Sequence, residues 1–372
     1  MMNRLFKIEN YWRNIDKHIL FSFLLLFVLG IFFSFSSTSF LADERLNKNY
    51  YFFFQKHLLY ALVSFFLMIF VSVLNTNLIN KSLFPVFLFF FLLLILVPFF
   101  GIEVKGAKRW LNLYLFRLQP VEFIKPFFIL LIAQILTSNW IKNLNLAHLI
   151  SFILLSSVIL LLVIQPDLGQ SVLLICTWIS LIFVSGVSIL FFPLILIFAI
   201  LFFIILLYLA PEKFSYIVTR LTSFMDPAKS GGFQSQKATE AIKQGGLKGQ
   251  GMGEGILKEN VPEAHTDYII AVVSEEFGSL ASIFIIGIFL FISFRIIKNL
   301  VNTSNNFYKL SLCGLVSLLV FQAFIHVGVN ANLLPTTGMT LPFLSYGGSS
   351  LLSSGIIAGI ILNYTSLAEK NE

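Results

Sequence analysis

The sequence predicts an all-α, polytopic integral membrane protein with about ten transmembrane helices and one large outer loop. Composition is the first reason: 58% of the 372 residues are hydrophobic and only 12% are charged, whereas soluble domains carry about 25% charged residues. Spacing is the second, because the apolar residues form runs of about 18–25 residues, the length of a helix that crosses a bilayer. Such runs are too long for barrel strands, so helices that satisfy their own backbone hydrogen bonds are expected.

Short polar breaks divide the apolar residues into ten expected spans within a single membrane domain, residues 1–372. The spans lie near 18–38, 51–74, 82–100, 119–137, 147–165, 168–186, 188–209, 267–294, 308–330 and 340–364. An even number of crossings places both termini on one side, and basic residues before the first span place that side in the cytoplasm. These residues are Arg4, Lys7, Arg13 and Lys17. No small-residue cleavage site follows the first span, which indicates a retained helix.

Two outer segments differ from the apolar background. Residues 210–266 are polar and glycine-rich and are expected to form a loop folded over the outer mouth of the bundle. Residues 101–125 carry cations on the outside, against the positive-inside rule; these are Lys105, Lys108, Arg109, Arg117 and Lys125. Either the topology differs here or the cations serve an anionic ligand, and the second interpretation is favoured. The net charge of +7 fits an anionic membrane surface or substrate, and no nucleic-acid partner is expected.

Asp267 is the leading catalytic candidate. It lies between Val261 and Tyr268, where a polar loop enters a membrane-length apolar helix. An ionisable group at this boundary is costly unless it is used, and a carboxylate in a partly dry site can accept a hydroxyl proton. The alternative is a helix N-cap, for which Asp is also preferred, and position alone does not separate the two. His265 is a second candidate base, or only a polar loop residue.

Two further features accompany this helix. Glu275 lies about 12 Å deeper than Asp267 at about 1.5 Å per residue, with Glu276 beside it, and a structural ion pair is favoured there over catalysis. Residues 245–255 are dense in glycine, but they lack the Gly-Lys-Ser/Thr ending of a P-loop and follow no strand. They form either a flexible surface turn or a substrate-facing loop. The second is favoured, since glycine lets backbone amides approach a ligand closely.

The fourth span opens with Pro120, a residue suited to the first turn of a helix. Glu122 and Lys125 follow on one helical face. They form either a buried ion pair that joins two helices, or a site in which Lys125 gathers phosphate charge together with Lys108 and Arg109.

Two further turns are polar. Asp167, in the tight turn 165–170, is expected to cap a helix. Small residues and hydroxyls at 341–350 indicate close helix packing, with a polar cavity wall as the alternative.

Five segments in register resemble the SEDS family (shape, elongation, division and sporulation). They are residues 106–111, 119–125, 165–169, 262–267 and 341–350. Within the family, residues 262–267, 275–278 and 334–338 are more similar to the division branch than to the elongation branch. One departure is Val121, where the family commonly has Ser, and this puts the role of a hydroxyl there in doubt.

The resemblance implies a peptidoglycan glycosyltransferase of the inner membrane, working on its periplasmic side at the division septum. It would polymerise lipid II into β-1,4-linked strands with inversion, and Asp267 would be the general base. The implied substrate-binding residues are Lys108, Arg109, Glu122, Lys125, His265, Ser345 and Gly347. Expected partners are a class B penicillin-binding transpeptidase and other membrane proteins of the division complex. No metal site is predicted, and a divalent cation, magnesium or manganese, stays open as an aid at the pyrophosphate.

Two other functions stay open. A lipid II transporter (flippase) would need polar groups along the whole path across the bilayer, whereas the candidate residues crowd the outer mouth. A non-catalytic division scaffold would tolerate loss of the Asp267 carboxylate, while changes on helix surfaces would disturb it.

Overall fold

Long apolar helices make up most of the described chain. The structure, a computed structural model, describes residues 11–46, 51–104, 106–114, 116–138, 141, 143–187, 218–220, 222–225, 233–257, 261, 263–301 and 303–368. Its helices are α1 (Tyr11–Asn14), α2 (Lys17–Leu46), α3 (Phe52–Val73), α4 (Thr76–Phe100), α5 (Pro120–Leu136), α6 (Leu144–Ile164), α7 (Leu168–Val184), α8 (Phe233–Gly245), α9 (Ile269–Leu300), α10 (Asn306–Asn330) and α11 (Gly348–Ala368). Its strands are β1 (Ile102–Val104), β2 (Ala107–Asn112) and β3 (Arg117–Leu118).

The prediction of a polytopic helical membrane protein is confirmed. Among the described residues, 6 helices are long and apolar enough to cross a membrane, namely α2, α3, α4, α6, α9 and α10. The shorter apolar helix α7 and the helices α5 and α11 coincide with three more of the predicted spans. The predicted span 188–209 lies outside the described residues, as does much of the predicted loop 210–266.

Polar contacts show which helix ends lie on the same side of the bundle. Asp16, just before α2, accepts hydrogen bonds from Arg295 at 2.7 Å and Asn299 at 2.8 Å, near the end of α9. The chain then enters α10, where Tyr308 lies beside Tyr364 at the end of α11, with ring centroids 5.0 Å apart. We call this side the terminal face. The opposite side, which carries the three strands, is the hairpin face.

The small sheet was not predicted from the sequence. The three strands are antiparallel in the order β1–β2–β3, with Glu103 opposite Lys108 and Leu111 opposite Leu118. Gly106, at a φ of +76°, lies in the turn between β1 and β2, a conformation that glycine adopts without strain. The described part of the cationic segment 101–125 before α5 is therefore largely a hairpin that folds over the bundle.

Helix α9 breaks at Gly278, and this corrects the predicted span 267–294. Gly278 has a φ of +82° and a ψ of +168° within α9. All residues from Ile269 to Glu276 are buried, whereas exposed apolar side chains begin at Leu280. The 32 residues of α9 would span about 48 Å, longer than the roughly 30 Å core of a bilayer. The lipid-crossing part is therefore 279–300, and Glu275 and Glu276 lie beyond it towards the hairpin face.

The predicted span 340–364 begins later than expected. Helix α11 starts at Gly348, and the residues before it form a buried irregular segment. Phe343, at a φ of +67° and 1% exposed, packs its ring against Phe23 and Phe27 at 5.5 and 5.1 Å. Gly348, the first residue of α11, packs closely on the Tyr60 ring of α3, as the small residues of 341–350 predict.

Candidate active site

Asp267 lies in a tight turn immediately before α9, at the hairpin face. The N–H groups of Thr266, Asp267 and Tyr268 all donate to the carbonyl of Glu263, at 3.0, 3.1 and 3.3 Å. Asn330, at the end of α10, donates from Nδ2 to the Asp267 carbonyl at 3.0 Å. The N-cap of α9 is Tyr268, not Asp267, so the N-cap interpretation of Asp267 is wrong. Asp267 therefore lies one residue before the N-cap, within the turn.

Gly338 brings Asp267 and Arg109 together. A Cβ built on Gly338 would lie 3.5 Å from Asp267 Oδ2 and 3.9 Å from Arg109 Nη1, so at most about 7.4 Å separates the two groups. Gly338 is itself exposed and has a φ of +71°. A carboxylate and a guanidinium thus face one solvent-accessible point on the hairpin face. A larger residue at Gly338 would fill the space between them.

Arg109 is fixed in place by the turn between α6 and α7. Its Nε lies 3.8 Å from Asp167 Oδ2 and 3.4 Å from the Gln165 carbonyl, and an Nη group donates to the Pro166 carbonyl. Burial raises the pKa of Asp167, and the Arg109 charge opposes that rise. Asp167 precedes α7 at the N-cap position, as predicted, but its side chain makes no cap hydrogen bond. It orients Arg109 instead.

Lys108 is separated from Arg109 by the alternation of β2. Successive side chains of a strand point to opposite faces of the sheet, and Lys108 is exposed while Arg109 is partly buried. The strand partner of Lys108 is Glu103. The two cations therefore do not converge on one group in this structure, and of the two only Arg109 lies beside Gly338 near Asp267.

Glu122 and Lys125 form a buried network inside the bundle. Lys125 Nζ lies 2.7 Å from Glu122 Oε2, and their side chains are 1% and 3% exposed. Gln170 of α7 donates to Glu122 at 2.6 Å, and Lys125 donates to Gln322 of α10 at 3.2 Å. Gln322 in turn donates to the Thr340 carbonyl at 2.9 Å. The network connects α5, α7 and α10 to Thr340, two residues after Gly338. Lys125 would have to leave these partners to contact a phosphate directly.

Ser345 connects the segment before α11 to the Asp267 turn. Its hydroxyl donates to the Thr266 carbonyl at 2.6 Å and accepts from the Leu341 N–H at 2.8 Å. The next N–H, that of Tyr346, donates to the His265 carbonyl at 2.9 Å. The His265 ring packs against those of Phe53 and Tyr346, at 4.8 and 5.6 Å between centroids. Ser345 and His265 therefore support the turn in this structure.

Gly347 lies just before α11, two residues after Ser345. A Cβ there would lie 3.2 Å from the Thr340 methyl group. Its backbone carbonyl accepts the Leu351 N–H at 2.9 Å. Because Gly347 has no side chain, Thr340 packs closely against it. Gly347 therefore lies near the network of Gln322 and Lys125, which ends at the Thr340 carbonyl.

The glycine-dense segment packs into the break of α9. Gln250 and Gly251 donate backbone hydrogen bonds to the carbonyls of Glu275 and Glu276, both at 2.9 Å. The Glu275 carboxylate accepts the Leu257 N–H at 2.7 Å, and that of Glu276 accepts the Gly253 N–H at 3.1 Å. This packing argues against a flexible turn, and the favoured interpretation, a substrate-facing loop, stays a prediction. The segment is a close-packed plug that supplies N–H groups to two buried carboxylates.

The described residues do not fit a cation site built by the protein alone. They contain no group of three or more His, Cys, Asp or Glu side chains that could hold a metal ion. Magnesium usually needs one or two carboxylates together with substrate phosphates. A cation here would depend on oxygen ligands from a substrate.

Comparison with known proteins agrees with this architecture. The sequence model of the FtsW/RodA/SpoVE family of cell cycle proteins matches residues 16–370. The chain belongs to this family. It is 35% identical over 358 residues to the "Probable peptidoglycan glycosyltransferase FtsW" of Caulobacter vibrioides, covering 95% of this chain and 89% of that protein. It is 32% identical to the stage V sporulation protein E of Bacillus subtilis, covering 91% and 94%. The SEDS resemblance is confirmed.

Solved structures of the family share the fold. One, described as the structural coordination of polymerization and crosslinking by a peptidoglycan synthase complex, matches with a TM-score of 0.77 and 22% identity. That match covers 96% of this chain and 98% of the other. The rod shape determining protein RodA of Thermus thermophilus matches with a TM-score of 0.67 at 22% identity, covering 94% and 96%.

Sequence reasoning missed two residues that hold the Asp267 turn and the Glu122–Lys125 network in place. Asn330 bonds both the Asp267 carbonyl and, through Oδ1, the Ala271 N–H at 3.1 Å. Gln322 joins Lys125 to Thr340. Both are amides on the apolar helix α10, and a buried amide needs partners, which is the signal that could have identified them.

Proposed function

We propose that this chain is a peptidoglycan glycosyltransferase that polymerises lipid II into β-1,4-linked glycan strands during septal cell-wall synthesis. Family membership and the names of its curated relatives support this assignment. The observation that carries the site is the pairing of the Asp267 carboxylate and the Arg109 guanidinium around Gly338. A base and a cation that both lie within 4 Å of one accessible point suit the transfer of a sugar from a pyrophosphate.

Asp267 would act as the general base. As the 4-hydroxyl oxygen of the acceptor sugar attacks the anomeric carbon of the donor, its proton passes to the Asp267 carboxylate. The bond between the anomeric carbon and the pyrophosphate oxygen breaks, and the electron pair leaves with the undecaprenyl pyrophosphate. Attack opposite the leaving group inverts the anomeric centre, which gives the β linkage.

Arg109 would stabilise the leaving group. Its guanidinium is held at a fixed position by Asp167 and two backbone carbonyls, so little reorganisation is needed when negative charge develops. A planar guanidinium also suits pyrophosphate oxygens better than a flexible ammonium. Lys108, on the exposed face of β2, would contribute to long-range attraction of the anionic substrate. A divalent cation brought by the pyrophosphate would neutralise further charge.

The proposal includes a membrane placement, which is supported by the basic residues before the first span. The terminal face lies in the cytoplasm, together with both termini, and the hairpin face lies in the periplasm of the inner membrane. The polyprenyl chain of lipid II stays among the lipid-facing helices, so its apolar surface is not transferred to water. The partner is a class B penicillin-binding transpeptidase, which crosslinks the strands, within a complex of other division membrane proteins at the septum.

The arrangement of polar groups favours chemistry over transport. Asp267, Arg109 and Asp167 are all on the hairpin face, and Glu275 and Glu276 also lie on that side of the break in α9. A flippase would need such groups along a path between the faces. The buried pair of Glu122 and Lys125 is hydrogen-bonded to Gln170 and Gln322 within the bundle.

Polymerisation of labelled lipid II in nanodiscs, with the cognate transpeptidase present, tests the proposal. We expect glycan from the wild type and a loss of about 10²–10⁴-fold in rate from Asp267→Asn, the usual contribution of a general base. Glu240→Gln is the matched control, because Glu240 is an exposed carboxylate of α8 paired with Lys237. Equal rates for wild type and a folded Asp267→Asn would remove Asp267 from the chemistry. No glycan from any variant, with an intact complex, would favour the transporter or the scaffold.

A further inference from the structure

An apolar groove lies between α2 and α9, close to the terminal face. It has a volume of about 350 Å³, and its lining includes His18, Phe21 and Leu25 of α2 and Phe284, Gly287 and Phe291 of α9. The three phenylalanine side chains are exposed. Asp267 lies at the other end of α9, on the hairpin face, so the proposed glycosyl transfer does not use this groove.

Gly287 gives the groove its depth. A Cβ built on Gly287 would meet nothing within 4 Å, so the space above this residue is open. Phe291 follows one turn later and Lys298 about three turns later than Gly287, and the three residues share one face of α9 at 3.6 residues per turn. The open side of the groove therefore continues along α9 towards a cation on the terminal face.

Cations surround the end of the groove that lies at the terminal face. His18 lines the groove, its neighbour Lys17 begins α2, and both are exposed, as is Lys298 of α9. Arg295 is paired with Asp16 at 2.7 Å, and the Asp16 side chain is fully buried, so it does not present its negative charge at the surface. An apolar groove that ends among exposed cations matches a molecule with an apolar chain and an anionic head group.

The length of the groove distinguishes between apolar occupants. From Phe284 to Phe291, α9 rises about 10 Å at 1.5 Å per residue. A membrane-spanning helix of a partner protein would run along the roughly 30 Å core of the bilayer, about three times that length. A cavity of about 150 Å³ holds the six carbons of benzene, so 350 Å³ corresponds to about fourteen carbons. The groove thus fits an acyl chain better than a helix.

We propose that this groove binds one anionic phospholipid from the leaflet on the terminal face. An acyl chain packs over Gly287 against the phenylalanine rings, and the phosphate lies beside Lys17, His18 and Lys298. The two ammonium groups supply charge and the imidazole supplies a hydrogen-bond donor, contacts that are stronger when the acceptor is ionised. The lipid would connect the beginning of α2 to the end of α9, beside the Asp16–Arg295 contact.

Lipid retention by the purified protein in detergent tests the site. The probes are dioleoylphosphatidylglycerol, the neutral dioleoylphosphatidylcholine and inorganic phosphate, and native mass spectrometry counts the lipids that stay bound. We expect one phosphatidylglycerol per protein, retained about tenfold or more in preference to phosphatidylcholine, because cations near a membrane surface attract anionic lipids. Equal retention of both lipids would overturn the proposal. Displacement of phosphatidylglycerol by inorganic phosphate would also overturn it, since the site would then bind an anion without its chain.

A substitution at Gly287 separates binding from folding. Leucine there enters open space and is a better helix former than glycine, so Gly287→Leu should not lower the melting temperature but should abolish retention of phosphatidylglycerol. Unchanged retention in Gly287→Leu would refute the groove as the binding site.

The lysines test the head-group contacts. Lys17→Gln and Lys298→Gln should each lower retention of phosphatidylglycerol about fivefold, the usual effect of one cation near an anionic lipid surface. Lys81→Gln is the matched control. Lys81 is an exposed cation of α4 on the same face, because its neighbour Asn80 accepts a hydrogen bond from Tyr364 at 2.8 Å. Equal losses in all three variants would show that surface charge in general, and not this site, selects the lipid.

The complex with the cognate transpeptidase tests the competing occupant. We expect the complex to retain phosphatidylglycerol as the free protein does, and Gly287→Leu to bind the transpeptidase with unchanged affinity. If complex formation expelled the lipid and Gly287→Leu weakened the complex, the groove would belong to the partner's helix and the proposal would be wrong.

Discussion

The amine of Lys125 lies 2.7 Å from the carboxylate of Glu122, one helical turn earlier, in a part of α5 that is almost fully buried. Gln170 donates a further hydrogen bond to Glu122, and Gln322 accepts one from Lys125. A buried pair of this kind is costly to desolvate and is kept together by mutual attraction and by its hydrogen bonds. The Glu122–Lys125 pair thus links α5 to α7 and α10 inside the bundle, below the Asp267 site.

Removing the charge of one member of this ion pair should destabilise the fold. We expect Lys125→Met to lower the free energy of unfolding by about 3–5 kcal/mol, because it leaves the Glu122 charge buried without its partner. The double variant Glu122→Gln/Lys125→Met should lose less than the sum of the two single changes. Thermal unfolding in detergent of all four proteins completes the cycle. Strict additivity would show that the two groups act separately, as a direct phosphate contact of Lys125 predicts.

The glycines that fill the break in α9 should differ sharply in their tolerance of alanine. A Cβ on Gly249, at a φ of +80°, would overlap the Glu276 carbonyl, whereas one on Gly253, at a φ of +83°, meets nothing within 4 Å. Both substitutions incur the strain of a left-handed residue, about 1–2 kcal/mol. Gly249→Ala adds overpacking, typically about 1–3 kcal/mol. Its melting temperature should therefore fall well below that of Gly253→Ala, and equal melting temperatures would refute the close-packed plug.

Hydrophobic run length was sufficient to predict the transmembrane helices, because burial in lipid imposes one requirement on every residue. The break at Gly278 and the late start of α11 at Gly348 were not predictable in this way. Each depends on a partner distant in sequence: the Leu247 carbonyl, which a Cβ on Gly278 would overlap, and the rings that surround Phe343. Run length counts apolar residues and does not register such contacts.

The candidate site likewise combines features that the sequence predicted with features that it did not. The motif at 262–267 predicted Asp267 as a functional residue, and the pattern of cations at 101–125 predicted a ligand-facing segment. The sequence did not reveal that β2 turns Lys108 away from Arg109, since the hairpin has only short strands and few β-branched residues. It also did not reveal Asn330, whose role depends on α10 ending beside the Asp267 turn.

The Asp16–Arg295 contact on the terminal face predicts a pH dependence of stability. Burial alone would raise the pKa of Asp16, but hydrogen bonds from Asn299 and Arg295 outweigh it and lower the pKa below its ordinary value. A lowered pKa in the folded state means that the stabilisation is complete above the unfolded pKa, about 3.9, and is lost as the pH falls through the folded value. Asp16→Asn should cost about 1–3 kcal/mol at pH 7.

The melting temperatures of wild type and Asp16→Asn should therefore converge as the pH falls below about 4. Glu240→Gln serves again as the control, since its carboxylate is exposed and should give no pH-dependent difference. A gap between wild type and Asp16→Asn that persists unchanged to low pH would show that the carboxylate charge does not stabilise the terminal face.

Ser345 should affect catalysis without touching the substrate. Its hydroxyl joins the Thr266 carbonyl to the Leu341 N–H, at 2.6 and 2.8 Å, so it sets the position of the Asp267 turn. We expect Ser345→Ala to lower kcat about tenfold and to leave KM nearly unchanged, because misplacing a catalytic group by about 1 Å has costs of this order or larger. Ser354→Ala is the matched control, since the Ser354 hydroxyl bonds only the Ser350 carbonyl of its own helix, at 2.8 Å. A rise in KM at constant kcat would instead identify Ser345 as a substrate-binding residue, whereas equal kinetics for both variants would show that the turn holds Asp267 without it.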